Sequence, residues 1–307
     1  MAILNIVLPV FVLIILGWVA KRTFLSDPQA TRGLRELVFR LLMPSMLFTA
    51  ITQAPRIEVV GVTLIYFAAC LVVFAIALVI ARFIKLSLSR AAMLGLNSTY
   101  GNTVMMGIPI VVAAYGAEAL PPLLTIIALH SAVLLTFAGV LIEIDAGRSG
   151  KSQSVMSLFR TIGEGIIKNP VILSIFLAFF WRAVELPVPI PIRDTLRFLG
   201  TAATPLALIS LGASLPPFSF RSFTMETLAG SVLKLFALPA AVWGFGTLAG
   251  MPKASLAVAI LTAGMPTGAN AFLLAHRSEG LAESSAPTVI VTMLMSLVTI
   301  YVLLAVL

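Results

Sequence analysis

Two short polar segments interrupt the apolar runs of this 307-residue chain. The first is Asn-Ser-Thr-Tyr-Gly-Asn-Thr at 97–103, and the second is Thr-Ala-Gly-Met-Pro-Thr-Gly-Ala-Asn at 262–270. Glycine loosens a helix by its backbone freedom and proline by its missing N–H donor, so each segment should break a helix. A break leaves unpaired N–H groups and a partial positive charge at the start of the following half-helix. Two such ends facing one another favour an anion, and carboxylates are the natural biological case.

The apolar surroundings make this interpretation more specific. Freed backbone groups are costly in hydrocarbon unless they are buried in protein or line a wet cavity. Paired breaks near the middle of two membrane spans therefore indicate the substrate site of a secondary transporter. The alternative is that the small residues only permit close helix packing, as in small-xxx-small contacts.

Few ionisable side chains lie inside the apolar runs. His130 is close to the middle of one, where either a neutral histidine bonded to a neighbouring helix or a substrate or proton site is expected. Arg40 and Lys234 lie a turn or two from the ends of theirs. We expect both to snorkel to the interface, or else to attract an anion into the inner vestibule. No Asp or Glu falls at midplane depth.

The motifs of enzymes are missing from the sequence. It has no Ser/His/Asp order, no metal-ligand cluster and no phosphate-binding loop. We therefore expect neither an enzyme nor a bound cofactor or metal.

The composition is that of a polytopic membrane protein. The chain is 60% hydrophobic and only 10% charged, whereas soluble proteins carry about 25% charged residues. Apolar runs of roughly 20 residues match the thickness of the bilayer hydrocarbon. They predict an all-α protein with ten transmembrane spans, at 2–20, 34–53, 59–84, 91–115, 119–142, 168–186, 194–215, 227–250, 254–276 and 285–307.

The net charge of +8 comes from cations in short loops, which are topology signals rather than a nucleic-acid site. Thirteen of the loop cations follow odd-numbered spans, and five lie on the other side. The positive-inside rule therefore places the first group in the cytoplasm and both termini outside it.

Proline positions indicate an internal repeat. Pro9 and Pro44 are 35 residues apart, as are Pro170 and Pro205, and an offset of 161 relates the two pairs. In later spans the offset is 165, which suggests a four-residue insertion between the third and fourth spans of the second half. Because five is odd, the second copy must enter the membrane from the opposite side. The predicted units are a first five-span repeat at 1–142, a cytoplasmic linker at 143–167 and an inverted repeat at 168–307.

The run from Gly101 to Pro109, Gly-Asn-Thr-Val-Met-Met-Gly-Ile-Pro, closely resembles the fourth-helix signature of the auxin efflux carrier family. Plant PIN-type members read Pro-Asn-Thr, two apolar residues and Met, then Gly-Ile-Pro. Met-Pro-Thr-Gly at 265–268 is similar to the family's Pro-Gln-Gly crossover. This chain has Gly101 where PIN proteins have Pro, and Thr267 where they have Gln. It also lacks the long cytoplasmic loop of many plant members, which favours a bacterial-type carrier of the inner membrane.

The resemblance implies a fold and a mechanism. Spans 1, 2, 6 and 7 would form a scaffold, and spans 3–5 and 8–10 a transport unit that moves like an elevator in a homodimer. Spans 4 and 9 would cross in that unit, with Asn102 on the substrate carboxylate. Bacterial relatives are associated with malonate and other small organic acids. The predicted substrate-binding residues are Gly101, Asn102, Thr103, His130, Pro266, Thr267, Gly268 and Asn270.

These observations predict a secondary transporter that carries small organic anions across the bilayer. The alternative is a sodium- or proton-coupled symporter or exchanger of the bile-acid-transporter type on the same scaffold. Related sodium/proton antiporters carry buried aspartates, which this chain lacks, although backbone carbonyls and Asn, Ser or Thr oxygens could hold sodium. A third class is a membrane sensor or structural protein, which would bind a ligand without moving it.

Overall fold

The computed structural model describes residues 2–53, 60–148, 156, 160, 163–164, 167–214, 224–268, 271 and 281–307. Every named element in these ranges is a helix, and one isolated antiparallel bridge joins Gly101 to Thr267. The α-helices are α1 (Ala2–Arg22), α2 (Pro28–Leu37), α3 (Met43–Gln53), α4 (Val60–Phe83), α5 (Leu88–Thr99), α6 (Ile108–Tyr115), α7 (Leu120–Arg148), α8 (Pro170–Ala183), α9 (Ile190–Thr201), α10 (Ala203–Ala213), α11 (Met225–Val232), α12 (Leu238–Leu248), α13 (Lys253–Ala263) and α14 (Ala282–Val306).

Within the described ranges, five helical segments are long and apolar enough to cross a membrane. They are Val60–Phe83, Ala117–Gly147, Ile190–Ala213, Met225–Leu248 and Ser285–Val306. Shorter apolar helices occupy parts of predicted spans 4, 6 and 9, namely Thr103–Tyr115, Pro170–Ala183 and Lys253–Ala263. The protein is therefore a helical membrane protein.

Three π-helical turns widen the helices, and each ends two residues before a proline. Proline lacks an N–H donor and its ring clashes with the preceding turn of an α-helix, so a wider turn accommodates it. The pairs of turn and proline are Val38–Leu42 with Pro44, Thr103–Gly107 with Pro109, and Leu233–Ala237 with Pro239.

The third predicted span of each half ends in the same way. Val60–Phe83 and Met225–Leu248 are both 24 residues long and are 165 residues apart. Lys85 and Gly250 follow them in the left-handed conformation, with φ of 57° and 66°. The N–H of the next residue then returns to a carbonyl five residues back, at 2.9 and 3.0 Å, which is a Schellman cap. An offset of 165 thus also relates the helices of the third predicted spans, whereas the four-residue insertion was predicted to follow those spans.

The last turns of α7 continue to Arg148, six residues beyond the predicted end of span 5 at 142. The Asp145 carboxylate accepts hydrogen bonds from the N–H of Ser89 at 2.9 Å and from its hydroxyl at 2.7 Å. Since Ser89 lies in the first turn of α5, the carboxylate meets the positive end of that helix. This contact anchors the end of α7 to the start of α5. The first residues of the predicted linker, 143–148, are therefore helical.

Buried apolar side chains form two clusters. One contains residues of α1, α3, α6, α8, α10 and α14, the other contains residues of α4, α5 and α12, and α7 and α13 contribute to both. In the first cluster, α1 and α10 approach so closely that Gly17 faces the Ile209 carbonyl and Gly212 faces the Ile14 carbonyl. A Cβ atom on either glycine would overlap that carbonyl, so the contact requires glycine on both helices.

Candidate functional site

The helix of predicted span 4 is interrupted in its middle, and so is the chain of span 9. Helix α5 ends at Thr99, and helical structure resumes at Thr103. Helix α13 ends at Ala263, and residues 264–268 are not helical. The sequence signals at both places therefore mark real interruptions.

The two interruptions are hydrogen-bonded to each other, and we call this contact the junction. The Asn102 N–H donates to the Pro266 carbonyl at 2.7 Å, and the Gly268 N–H donates to the Tyr100 carbonyl at 2.9 Å. The pairing satisfies backbone groups that both breaks release, which a low-dielectric environment requires.

Buried polar side chains around Thr267 stabilise the junction. The Thr267 hydroxyl donates to the Asn97 carbonyl at 2.7 Å, and the Thr267 N–H donates to the Thr292 hydroxyl at 3.0 Å. The Asn97 side chain in turn accepts from the Ser285 hydroxyl at 2.7 Å. All four residues are buried. The junction is thus held in one geometry by satisfied hydrogen bonds.

A cavity of about 380 Å³ lies beside the junction. Five of the eight predicted binding residues line it: Gly101, Asn102, Thr103, His130 and Gly268. Pro266 and Thr267 belong to the junction but not to the lining, and Asn270 lies outside the described residues.

The cavity presents hydrogen-bond donors from the helix that begins at Thr103. The backbone N–H groups of Thr103, Val104 and Met105 have no acceptor in the described part of the chain. Asn102 precedes them, and its side chain makes no capping hydrogen bond. All four residues line the cavity, so an anion there would meet free N–H groups, an amide and the positive end of a helix.

A second helix N-terminus, which was not predicted from the sequence, faces the same cavity. Asn169 caps α8 by accepting from the N–H groups of Val171 and Ile172, at 3.0 and 3.3 Å. Asn169 and the first residues of α8 line the cavity. An Asn-Pro pair before an apolar run was the available signal, because it is typical of a helix start.

His130 lies at the deep side of the cavity and is only 2% exposed. The Gly101 N–H points to its Nε2 at 3.4 Å, a long hydrogen bond, in which this nitrogen acts as acceptor. The imidazole ring also stacks at 4.4 Å on the ring of Tyr100, whose hydroxyl bonds Ser131 at 2.8 Å. An accepting Nε2 requires the neutral ring with its proton on Nδ1.

Charged groups stand at the mouth of the cavity. Arg35, Glu36 and Arg40 contribute to the lining. Glu36 accepts from Arg32 at 3.0 Å and lies 4.0 Å from Arg40, so its charge is compensated. The Arg40 side chain is 71% exposed, as expected for a snorkelling residue. The mouth therefore carries net positive charge.

Lys234 contradicts the expectation that it reaches the interface. It is completely buried in the π turn Leu233–Ala237, and its Nζ donates to the Ala263 carbonyl at 2.6 Å. The acceptor is the last carbonyl of α13, which has no partner within that helix and is therefore available to the ammonium. The sequence signal was a lysine within an apolar run, five residues before a proline.

A family model described as "Membrane transport protein" matches residues 2–304. The chain belongs to this family. It is similar over 96% of its length to a protein of Rhizobium meliloti (strain 1021) named "Putative malonate transporter", with 27% identity across 93% of that protein. It is also 25% identical to an uncharacterized transporter of Methanocaldococcus jannaschii, over 97% of this chain and 96% of the relative. An uncharacterized transporter of Escherichia coli (strain K12) is 23% identical over 95% of this chain and 93% of its own length.

Membership confirms the resemblance to the auxin efflux carriers, because this is the auxin efflux carrier-like family. The protein is thus an integral membrane transporter and not an enzyme.

Proposed function

We propose that this transporter carries small organic anions and binds them in the cavity beside the junction. The observation that carries the proposal is the convergence of donors on that cavity. Three N–H groups without an acceptor in the described part of the chain, at the start of one helix, face it together with the Asn102 amide. The N-terminus of α8, whose N–H groups Asn169 caps, adds the partial positive charge of a second helix to the cavity. Among its described lining residues Glu36 is the one acid, and it is paired at the mouth. Such a site favours a carboxylate over a cation.

Malonate is the first substrate to test. A cavity of about 380 Å³ is at the small end of ligand sites, which usually range from about 300 to 1,000 Å³. The relative from Rhizobium meliloti is named for malonate. Asn102 and the N–H groups of residues 103–105 would hold one carboxylate, and His130 and the Gly101 backbone would form the deep wall.

The proposed architecture is ten spans in two inverted repeats, 1–142 and 168–307, joined by a cytoplasmic linker at 143–167. The equal offset of 165 between the third spans, including their Schellman caps, supports this repeat. Helices α5 and α13, which lead into the two breaks, begin at Leu88 and Lys253 and are also 165 residues apart. The two broken spans would cross at the junction.

The proposed mechanism is an elevator movement in a homodimer. The scaffold helices α1, α3, α8 and α10 all contribute to one apolar cluster, and α4, α5 and α12 of the transport unit contribute to the other. Helices α6 and α14 of the transport unit pack into the first cluster, and α7 and α13 into both, so these four helices would form the contact between scaffold and transport unit. The cavity mouth bears Arg35 and Arg40, which the loop charges assign to the cytoplasm. The described conformation would then be inward-open, in a plasma membrane with both termini outside.

Counterflow in proteoliposomes tests the proposal. Vesicles loaded with unlabelled malonate should accumulate external radiolabelled malonate through the wild-type protein, and an excess of external succinate or oxalate measures selectivity among small acids. Asn102→Ala should abolish most of the accumulation. Binding without counterflow would contradict a carrier and favour a sensor. Uptake of bile acids in place of malonate, and only with sodium or a proton gradient, would favour the coupled symporter.

A further inference from the structure

An ammonium group is buried where the two interrupted helices meet. Lys234 Nζ bonds the Ala263 carbonyl at the end of α13, at 2.6 Å. It also lies against the other break, since a Cβ atom placed on Gly101 would be 3.3 Å from Nζ. One cationic group therefore bonds one half of the junction and lies beside the other.

Lys234 has no carboxylate partner in the described part of the chain. A buried ammonium requires compensation for its lost hydration. Helix ends provide it here. Ala263 is the last residue of α13, and α5 ends at Thr99, two residues before Gly101. Since the carbonyl end of a helix carries partial negative charge, the ammonium lies where two negative ends converge.

The same arrangement is chemically suited to a free metal cation. Secondary transporters hold coupling ions with unwound backbone carbonyls and the C-terminal ends of half-helices. An ammonium group satisfies such carbonyls in the same way, but a covalent stem fixes it in place. We infer that Lys234 is a tethered cation that occupies the position of a coupling ion, so that anion binding in this carrier needs no sodium.

This inference rests on the proposed anion transport, and it adds a source of positive charge to the site. Gly101 lines the cavity, and the space beside its Cα is occupied by the end of the Lys234 side chain. Only the Gly101 backbone would separate the ammonium from an anion in the cavity. Because Lys234 is fully buried, little water would screen the attraction between the two charges. Unlike an exchangeable ion, this group is attached to the protein by a covalent stem.

Cation substitution on the purified protein tests the inference. Malonate affinity and the melting temperature are measured in sodium chloride, in N-methyl-D-glucamine chloride and in methylammonium chloride. Wild-type affinity should agree within about twofold in all three salts, since the resident cation is always present. A requirement of the wild type for sodium would overturn the inference and leave anion transport intact.

Three variants test whether the effect of the salt cation on malonate affinity depends on Lys234. Lys234→Ala removes the charge and leaves space, so malonate affinity should fall at least tenfold in N-methyl-D-glucamine and recover severalfold in sodium or methylammonium. Lys234→Met removes the charge but fills the space, so it should lose affinity without recovery. Lys253→Ala, which removes an exposed lysine at the start of α13, should match the wild type in every salt.

The outcomes separate the two proposals. Wild-type affinity in both Lys234 variants would overturn the tethered cation. If no malonate binds to any protein in any salt, the malonate proposal fails. In that case the melting temperature of Lys234→Ala still tests the role of Lys234. Sodium or methylammonium should raise the melting temperature of this variant and leave that of the other proteins unchanged. Should Lys234→Ala not fold, the sodium independence of the wild type and the affinity of Lys234→Met carry the test.

Discussion

The N–H of Asn102 donates to the carbonyl oxygen of Pro266 across 2.7 Å, although 164 residues separate them in the chain. In the part of the chain that the structure describes, the Asn102 side chain has no hydrogen-bond partner, and Asn102 lines the cavity. Its backbone therefore serves the fold, while its amide is available to a ligand. Backbone and side chain of one residue have separable roles.

Replacing the amide alone should thus impair binding more than folding. Asn102→Ala is expected to weaken malonate binding by about 10- to 150-fold, because a hydrogen bond to a charged group in a dry site contributes about 1.5–3 kcal/mol. The melting temperature should change little. Binding by isothermal titration and unfolding by scanning fluorimetry measure both quantities.

Asn97 provides the matched control. Its side chain is 1% exposed and bonds Ser285, outside the cavity lining. Asn97→Ala should lower the free energy of unfolding by about 1–3 kcal/mol, because it leaves a buried hydroxyl without its partner. Wild-type affinity in Asn102→Ala would place the anion elsewhere.

The positive mouth should accelerate anion capture. Arg40→Gln is expected to reduce initial uptake severalfold at low ionic strength, and the difference should shrink as salt is raised to about 1 M, where the screening length falls to about 3 Å. Arg160→Gln is the control, because Arg160 is also exposed, at 81% against 71%, and neither it nor its partner Glu164 lines the cavity. Equal salt dependence in the two variants would exclude a local role of Arg40.

The glycine contact between α1 and α10 should be intolerant of a methyl group. In Gly17→Ala the new Cβ would overlap the Ile209 carbonyl, and the two backbones must separate. We expect a loss of about 1–3 kcal/mol in unfolding free energy, as for other overpacked sites. Gly33→Ala, with open space around an exposed position of α2, should be neutral or stabilising. Thermal unfolding in detergent compares the two, and equal stability would contradict the close contact.

Loop charge predicts the orientation in the membrane. In a Cys70→Ala background, Gly163→Cys should be protected from membrane-impermeant thiol reagents in intact cells, and Leu307→Cys should react. Gly163 has open space around it and Leu307 is exposed, so both introduced thiols are accessible to water or to the interface. The opposite labelling pattern would invert the topology and the proposed inward-open state.

The interruptions were predictable from sequence because their causes are local. Glycine and proline act on their own turns, and both breaks occur where these residues predict them. The signature from Gly101 to Pro109 also sufficed to indicate the family. Local rules therefore located the junction and five of the residues that line the cavity beside it.

Lys234 could not be placed in the same way. Counting residues along its span puts it near the interface, where lysine normally snorkels. Its actual environment depends on the Ala263 carbonyl, 29 residues further along the chain, and on a π turn that rotates the helix face before Pro239. The capping of α8 by Asn169 toward the cavity likewise depends on how distant helices pack.

The pairing of α1 with α10, and of α3 with α8, has a consequence for how the chain stays assembled. Each pair joins a helix before the central linker to one after it, and so does the bond between Asn102 and Pro266. Helices of the two halves therefore pack directly against each other. We infer that these contacts, and not the connecting peptide, hold the halves together. Fragments 1–150 and 151–307, synthesised as separate polypeptides in one cell, should find each other in the bilayer and rebuild the complete binding cavity.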